Sequence, residues 1–341
     1  RVSPCHTSMK INKHCFPSGL RLVHYEDTST QMVALNIVYD VGARDEHPEH
    51  TGFAHLFEHL MFGGSAHIPD YDTPLQLAGG ENNAWTNNDI TNYYLTVPKP
   101  NVETAFWLES DRMLELAFSE QSLEVQRGVV MEEFKQRCLN QPYGDVGHLF
   151  RPLAFRVHPY RWPTIGKELS HIEQATLDEV KSFFYRFYAP NNAVLAVTGN
   201  ISWDETVKLT EKWFAPIPRR DVPVRQLPQE PEQTQERRLT VERNVPLDAL
   251  FMGYHMCSRE GADYYAFDIL SDILSNGRSS RLNRRLVQEQ NIFSGIDAYI
   301  SGTRDAGLLQ ISGKPAAGVS LEQAEAAVRK AVSYTHLRAH E

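Results

Sequence analysis

The sequence predicts an α+β protein of two similar layered domains, each a mainly antiparallel sheet flanked by helices, with the second domain incomplete. Three observations lead there. Strand-like period-2 segments and helix-like period-3.6 segments follow one another without strict alternation, and a proline-rich stretch interrupts them. The same order of elements then starts again.

Taken in order, Leu20–Tyr25 and Val33–Asp40 alternate apolar and polar residues and read as strands. A helix containing residues 55–62 stops at Gly63-Gly64, and Asp72–Ala78 is a short helix closed by Gly79-Gly80. Tyr93–Val97 is a strand ended by prolines. Asn101–Leu116, Ser122–Arg137 and Thr176–Tyr188 are amphipathic helices; Ala193–Gly199 is a buried strand and Trp203–Phe214 a helix. Prolines at 216, 218, 223, 228 and 231 then lie among Glu, Gln and Arg, the composition of a linker. Beyond come a strand (250–255), helices (264–274 and 281–290), strands (295–301 and 307–311) and a helix from Leu321. The domains are therefore placed at 9–218 and 244–331, joined by a linker at 219–243. Met9 is the expected natural start. The tail Val332–Glu341 reads like a translated sequencing-library adaptor, so the natural chain is expected to continue past Ala331.

Composition narrows the function. Hydrophobic content of 41% and charged content of 23% are those of a globular protein. A net charge of −9 with no run of Lys or Arg excludes a nucleic-acid footprint, and no apolar stretch is long enough to span a membrane. Cys5, Cys15, Cys138 and Cys257 have no C-x-x-C spacing. They read as free thiols of a reducing compartment, and with no signal-like apolar run a cytoplasmic location is expected.

The chemistry is concentrated in His55-Leu56-Phe57-Glu58-His59. On a helix, positions i, i+3 and i+4 share one face, so two imidazoles and a carboxylate project together. Two neutral imidazoles four residues apart can grip one Zn²⁺, and the carboxylate can take a proton from water there. This is H-x-x-E-H, the inverted order of the H-E-x-x-H zinc peptidase signature. A third ligand is expected from another helix, and Gln126–Phe134 offers Glu132 and Glu133 beside a stripe of Val129, Val130 and Phe134. Composition alone leaves both acids as the solvated flank of that helix. No G-x-S-x-G elbow or recognisable nucleophilic cysteine competes with the metal reading.

H-x-x-E-H, followed by Gly79-Gly-Glu-Asn-Asn-Ala-Trp-Thr86 and by Arg127-x-Val-Val-x-x-Glu133, resembles the pitrilysin family of zinc peptidases. That family includes insulin-degrading enzyme and the mitochondrial processing peptidase. Tyr188-Ala-Pro-Asn-Asn-Ala193, Gly199-Asn200 and Ser279-Ser-Arg-Leu282 add to the resemblance, which covers Met9 to Ala331. It implies a zinc endopeptidase acting on short or unfolded polypeptides, working as a homodimer or with a partner subunit of the same family. By position it makes His55, His59 and Glu133 the zinc ligands and Glu58 the general base. Asn83, Ala84, Trp85 and Thr86 become a strand edge to which substrate adds; read without the resemblance, they are a polar turn. One departure stands out: Gln126 occupies a position that is commonly a second glutamate, and an amide cannot carry charge or shuttle a proton. The rival reading is a non-catalytic, peptide-binding subunit of the same family.

Overall fold

Strand periodicity decides the first sheet. The structure, a computed structural model, describes residues 10–338; Cys5, Met9 and residues 339–341 lie outside these. β1 (Asn12–Cys15) is largely exposed, but in β2 (Arg21–Glu26) and β3 (Met32–Tyr39) the side chains alternate in burial, and Val33, Leu35, Ile37 and Tyr39 of β3 all face the core. With β4 (Glu81–Thr86), β5 (Thr91–Pro98) and β6 (Ala193–Gly199) they form a six-stranded sheet in the order β1-β2-β6-β3-β5-β4. Only the β2–β6 pair is parallel, so the sheet is mainly antiparallel.

Helices make up much of the remaining chain as far as Phe214. They are α1 (Phe53–Leu60), α2 (Asp72–Leu77), α3 (Val102–Leu114), α4 (Glu120–Phe134), α5 (Val146–Ala154), α6 (Leu169–Glu173), α7 (Leu177–Phe187) and α8 (Trp203–Phe214). All but α5 belong to this first unit, which comprises the chain to Leu139 together with Val157–Pro231. Thr176 and Glu179 form a capping box at the start of α7, and Ser202 caps α8. The stripe expected on α4 needs correction. Val130 and Phe134 are buried with Leu123, but Val129 is 46% exposed.

The proline-rich stretch does not run free through its first half. Arg220 donates to the backbone oxygens of Tyr188, Met113 and Leu114, and Arg225 ion-pairs with Asp40 and Asp45. Glu230 accepts from the backbone N–H groups of Val157 and His158.

The second unit comprises Asn140–Arg156 and the chain from Glu232 on. Its sheet is antiparallel and three-stranded, β7 (Leu250–Met256), β8 (Phe293–Ile300) and β9 (Gly307–Pro315), in the order β7-β9-β8. Helices α9 (Tyr264–Ser275) and α10 (Leu321–Arg338) accompany it, and the helix expected at 281–290 is wound as a π-helix over Asn283–Glu289. Leu274, Leu286, Ile296, Ile311 and Val328 are among its core residues. Val332, the first residue of the tail set apart above, also packs against this core, and the helix continues through Arg338. No helix among the described residues is long and apolar enough to cross a membrane.

Candidate metal centre

Helix α1 is anchored on three sides before its histidines are considered. Phe53, Ala54, Leu56, Phe57 and Leu60 are buried in the first core, and Phe57 stacks on Phe183 with ring centroids 5.0 Å apart. Gly52 precedes the helix at φ +90°, where a Cβ would stand 2.7 Å from Ile172 Cδ1 and 2.9 Å from the Ile165 oxygen. Only glycine fits that turn. Having no side chain, Gly52 cannot cap the helix. Glu46 does so instead: its carboxylate accepts from the backbone N–H of Gly52 at 2.9 Å and of Ala54 at 2.8 Å. Burial pushes the Glu46 carboxyl up to about 8 despite those two bonds. Farther along, the Tyr93 hydroxyl donates to the Phe57 oxygen at 3.3 Å.

Helix α4 packs against α1 and brings Glu133 to the two histidines. Ser119 caps it by accepting from Ser122 N, and Leu123, Val130 and Phe134 bury one face. Glu133 then lies between the two histidines, with Oε2 at 3.4 Å from His55 Nε2 and 3.4 Å from His59 Nε2. The three ligand atoms fall within 4.8 Å of one another, the one such group found among the described residues. The imidazole rings stand at 90° with centroids 4.9 Å apart.

This donor set fits zinc. A tetrahedral ion with ligand bonds of about 2.0–2.1 Å has ligand atoms roughly 3.3 Å apart, close to the two measured separations. Electrostatics agree. The His55 imidazole beside it, with Arg137 and His59, holds the Glu133 carboxyl down to about 2. Burial, and then the charge of His55, push His59 below the usual histidine range, which favours the neutral ring a metal needs. An ionised carboxylate facing a neutral imidazole is a ligand set ready for a cation.

The other expected site residues are placed as follows. Glu58 is half-buried on the same helix and makes no hydrogen bond or ion pair among the described residues, so its carboxylate is available to a proton. Glu132 points away: it is 62% exposed and pairs with Lys135. Gln126 is half-buried and forms no side-chain hydrogen bond to the ligand set. Asn83, Ala84, Trp85 and Thr86 lie on β4, the outer strand, paired on one side with Tyr94, Tyr93, Asn92 and Thr91 of β5. Among the described residues, no strand lies along the opposite edge of β4. Glu46 and Arg137 had no signal in the sequence, since each reads locally as an ordinary charged surface residue.

Comparison with known proteins shows which family the chain is similar to. Residues 21–146, which hold every expected site residue, match the family described as insulinase (peptidase family M16), and residues 174–336 match the peptidase M16 inactive domain. The chain is 30% identical over 298 residues to the zinc protease PqqE of Helicobacter pylori, covering 85% of this chain and 67% of that protein. It is 25% identical over 305 residues to the uncharacterized zinc protease YmxG of Bacillus subtilis, covering 89% and 73%. The crystal structure of a protease from Helicobacter pylori superposes with a TM-score of 0.89 at 28% identity, over 96% of this chain and 79% of that one. Pitrilysin shares the fold, with a TM-score of 0.70 at 19% identity, over 91% of this chain and 34% of its own. The chain therefore belongs to the M16 family of peptidases.

Proposed function

We propose that the protein is a zinc-dependent endopeptidase that hydrolyses peptide bonds in short or unfolded polypeptides. The observation that carries this reading is the convergence of His55, His59 and Glu133, with Glu133 Oε2 at 3.4 Å from both imidazoles. These three side chains would hold the zinc. When bound, it would supply the Lewis acid that polarises the scissile carbonyl and brings the pKa of a water toward neutrality. Glu58, one turn from His55 and without a hydrogen bond or ion pair among the described residues, would take a proton from the attacking water and return it to the leaving nitrogen.

The open edge of β4 supports the substrate class. An extended peptide can add there as a further strand, with Asn83, Ala84, Trp85 and Thr86 supplying main-chain hydrogen bonds. Such pairing demands an extended chain and little particular sequence, which a folded protein cannot offer.

Glu58→Gln tests the chemistry separately from the metal. The amide has nearly the same size and cannot accept the proton, so zinc content should be kept while cleavage of an unfolded peptide falls at least about a hundredfold. Near-normal cleavage by this variant would end the role given to Glu58. One observation favours the rival reading, a non-catalytic subunit that binds peptides for an active partner: Gln126 stands where the resemblance expects an acid. Full zinc occupancy with no cleavage of any unfolded peptide would select it.

A further inference from the structure

The ligand set has one outside support. Arg137 Nη2 lies 2.8 Å from Glu133 Oε1, while both imidazoles approach the other oxygen, Oε2. Among the described residues, no other side chain outside the set bonds to a ligand side chain. His55 Nδ1 is buried without a hydrogen-bond partner, and Gln126 reaches none of the three.

We propose that Arg137 is a positioning residue for the metal: it holds Glu133 so that Oε2 alone is presented, and this raises the affinity for zinc. The inference rests on the zinc site proposed above. A glutamate's terminal torsion is broad, so an unrestrained carboxylate presents one oxygen, both or neither. Pairing Oε1 with a guanidinium removes that freedom. The local winding favours the pair. Lys135–Leu139 forms a π-helical turn directly after α4. A π turn winds less per residue than an α-helix, so the fourth residue on returns closer to directly above the first. That brings the guanidinium over Glu133.

An opposing effect must be weighed. A guanidinium beside a dication repels it, but Arg137 is 67% exposed, so water and salt screen the repulsion to about a few-fold in affinity. Outer-shell partners that orient ligands are worth about ten- to a hundredfold. Orientation wins, and the net expected effect is about tenfold.

The test uses the full chain, with Arg137→Met, Arg137→Gln, Arg137→Lys, Lys135→Met and His59→Ala. Zinc affinity is read by chelator competition, and ligand geometry by the visible spectrum of the Co²⁺-loaded protein. Arg137→Met and Arg137→Gln should each weaken zinc about tenfold and shift the Co²⁺ bands, as Glu133 gains freedom to bind through both oxygens. Arg137→Lys should recover part of both changes, because an ammonium can hold one oxygen without the planar fork. Lys135→Met breaks only the pair with exposed Glu132 and should alter neither. Wild-type affinity and an unshifted spectrum in Arg137→Met and Arg137→Gln, with zinc abolished by His59→Ala, would overturn the positioning role and leave the zinc site standing. Zinc binding that survives His59→Ala would instead overturn the site itself, and this inference with it.

Discussion

Glu46 Oε1 lies 2.8 Å from the backbone nitrogen of Ala54, the residue before His55. A buried acid from a preceding loop thus sets the start of the helix that carries both imidazoles, in place of the residue at the helix N-terminus. The loop is tied down in turn, since Arg225 pairs with the neighbouring Asp45.

Glu46→Gln should therefore loosen α1. The amide can accept only one of the two N–H bonds, which leaves a buried donor unmet at about 1–3 kcal/mol. The effect should depend on pH. The folded carboxyl titrates near 8 against an ordinary value of 4.5, so the folded chain keeps a proton that the unfolded chain releases between those values. The contribution is fully present below about 4.5 and is lost as pH rises through about 8. Denaturant midpoints measured from pH 5 to 8 should fall in the wild type relative to Glu46→Gln. Parallel curves would show that Glu46 is ionised in the folded state.

Zinc content should separate the neighbouring acids. A full-length protein is expected to purify with about one zinc per chain, and His59→Ala or Glu133→Gln should remove most of it. Glu132→Gln should retain it, because Glu132 faces solvent with Lys135. Elemental analysis showing the reverse would exchange the roles assigned to the two.

Gln126→Glu tests the one departure from the family pattern. Position 126 lies two turns before Glu133 on α4, on the same face, and its amide is engaged with nothing in the ligand set. A carboxylate there can carry charge and move protons, so turnover should rise while zinc content stays constant. A lower or unchanged rate in a peptide assay would mean that glutamine is the adapted residue here.

Arg112→Met addresses the core beneath the site. Arg112 and Glu109 are each 1% exposed and paired, and the Arg112 guanidinium lies 4.5 Å from the ring centroids of both Tyr71 and Tyr93. Tyr93 is the residue that bonds the Phe57 oxygen of α1. Removing the cation leaves Glu109 charged and buried, which costs about 3–5 kcal/mol. Urea unfolding should show a loss of that size; under about 1 kcal/mol would mean that the pocket rehydrates.

Local chemistry explains what could be read in advance. His55, Glu58 and His59 share a turn, so helical periodicity alone joins them. Strands β2, β3 and β6 alternate cleanly because one face of each is buried. Glu133 was reachable only through the family resemblance, because nothing local distinguishes it from Glu132. Asn83–Thr86 is polar enough to pass for a turn and is a strand only by pairing with β5. The π turn after α4 and the cap from Glu46 depend on contacts distant in sequence or on winding that periodicity does not encode. Val129 was misplaced for a related reason: it is apolar and adjacent to the buried stripe, and only packing against α1 shows which valine faces in.

The path of the chain has a practical side. It leaves the first unit after Leu139, contributes α5 to the second, returns at Val157 and leaves again after Pro231. Three covalent crossings join the units, so no single protease cut can release either one. An excised fragment ending at Pro231 would carry α5 without its own sheet, although the Phe150 ring belongs against Gly253 of β7. Dissection into halves would then expose an apolar helix in one piece and an uncovered strand in the other. Deleting 140–156 in favour of a short bridge, and grafting it onto the second piece, is the dissection this topology permits.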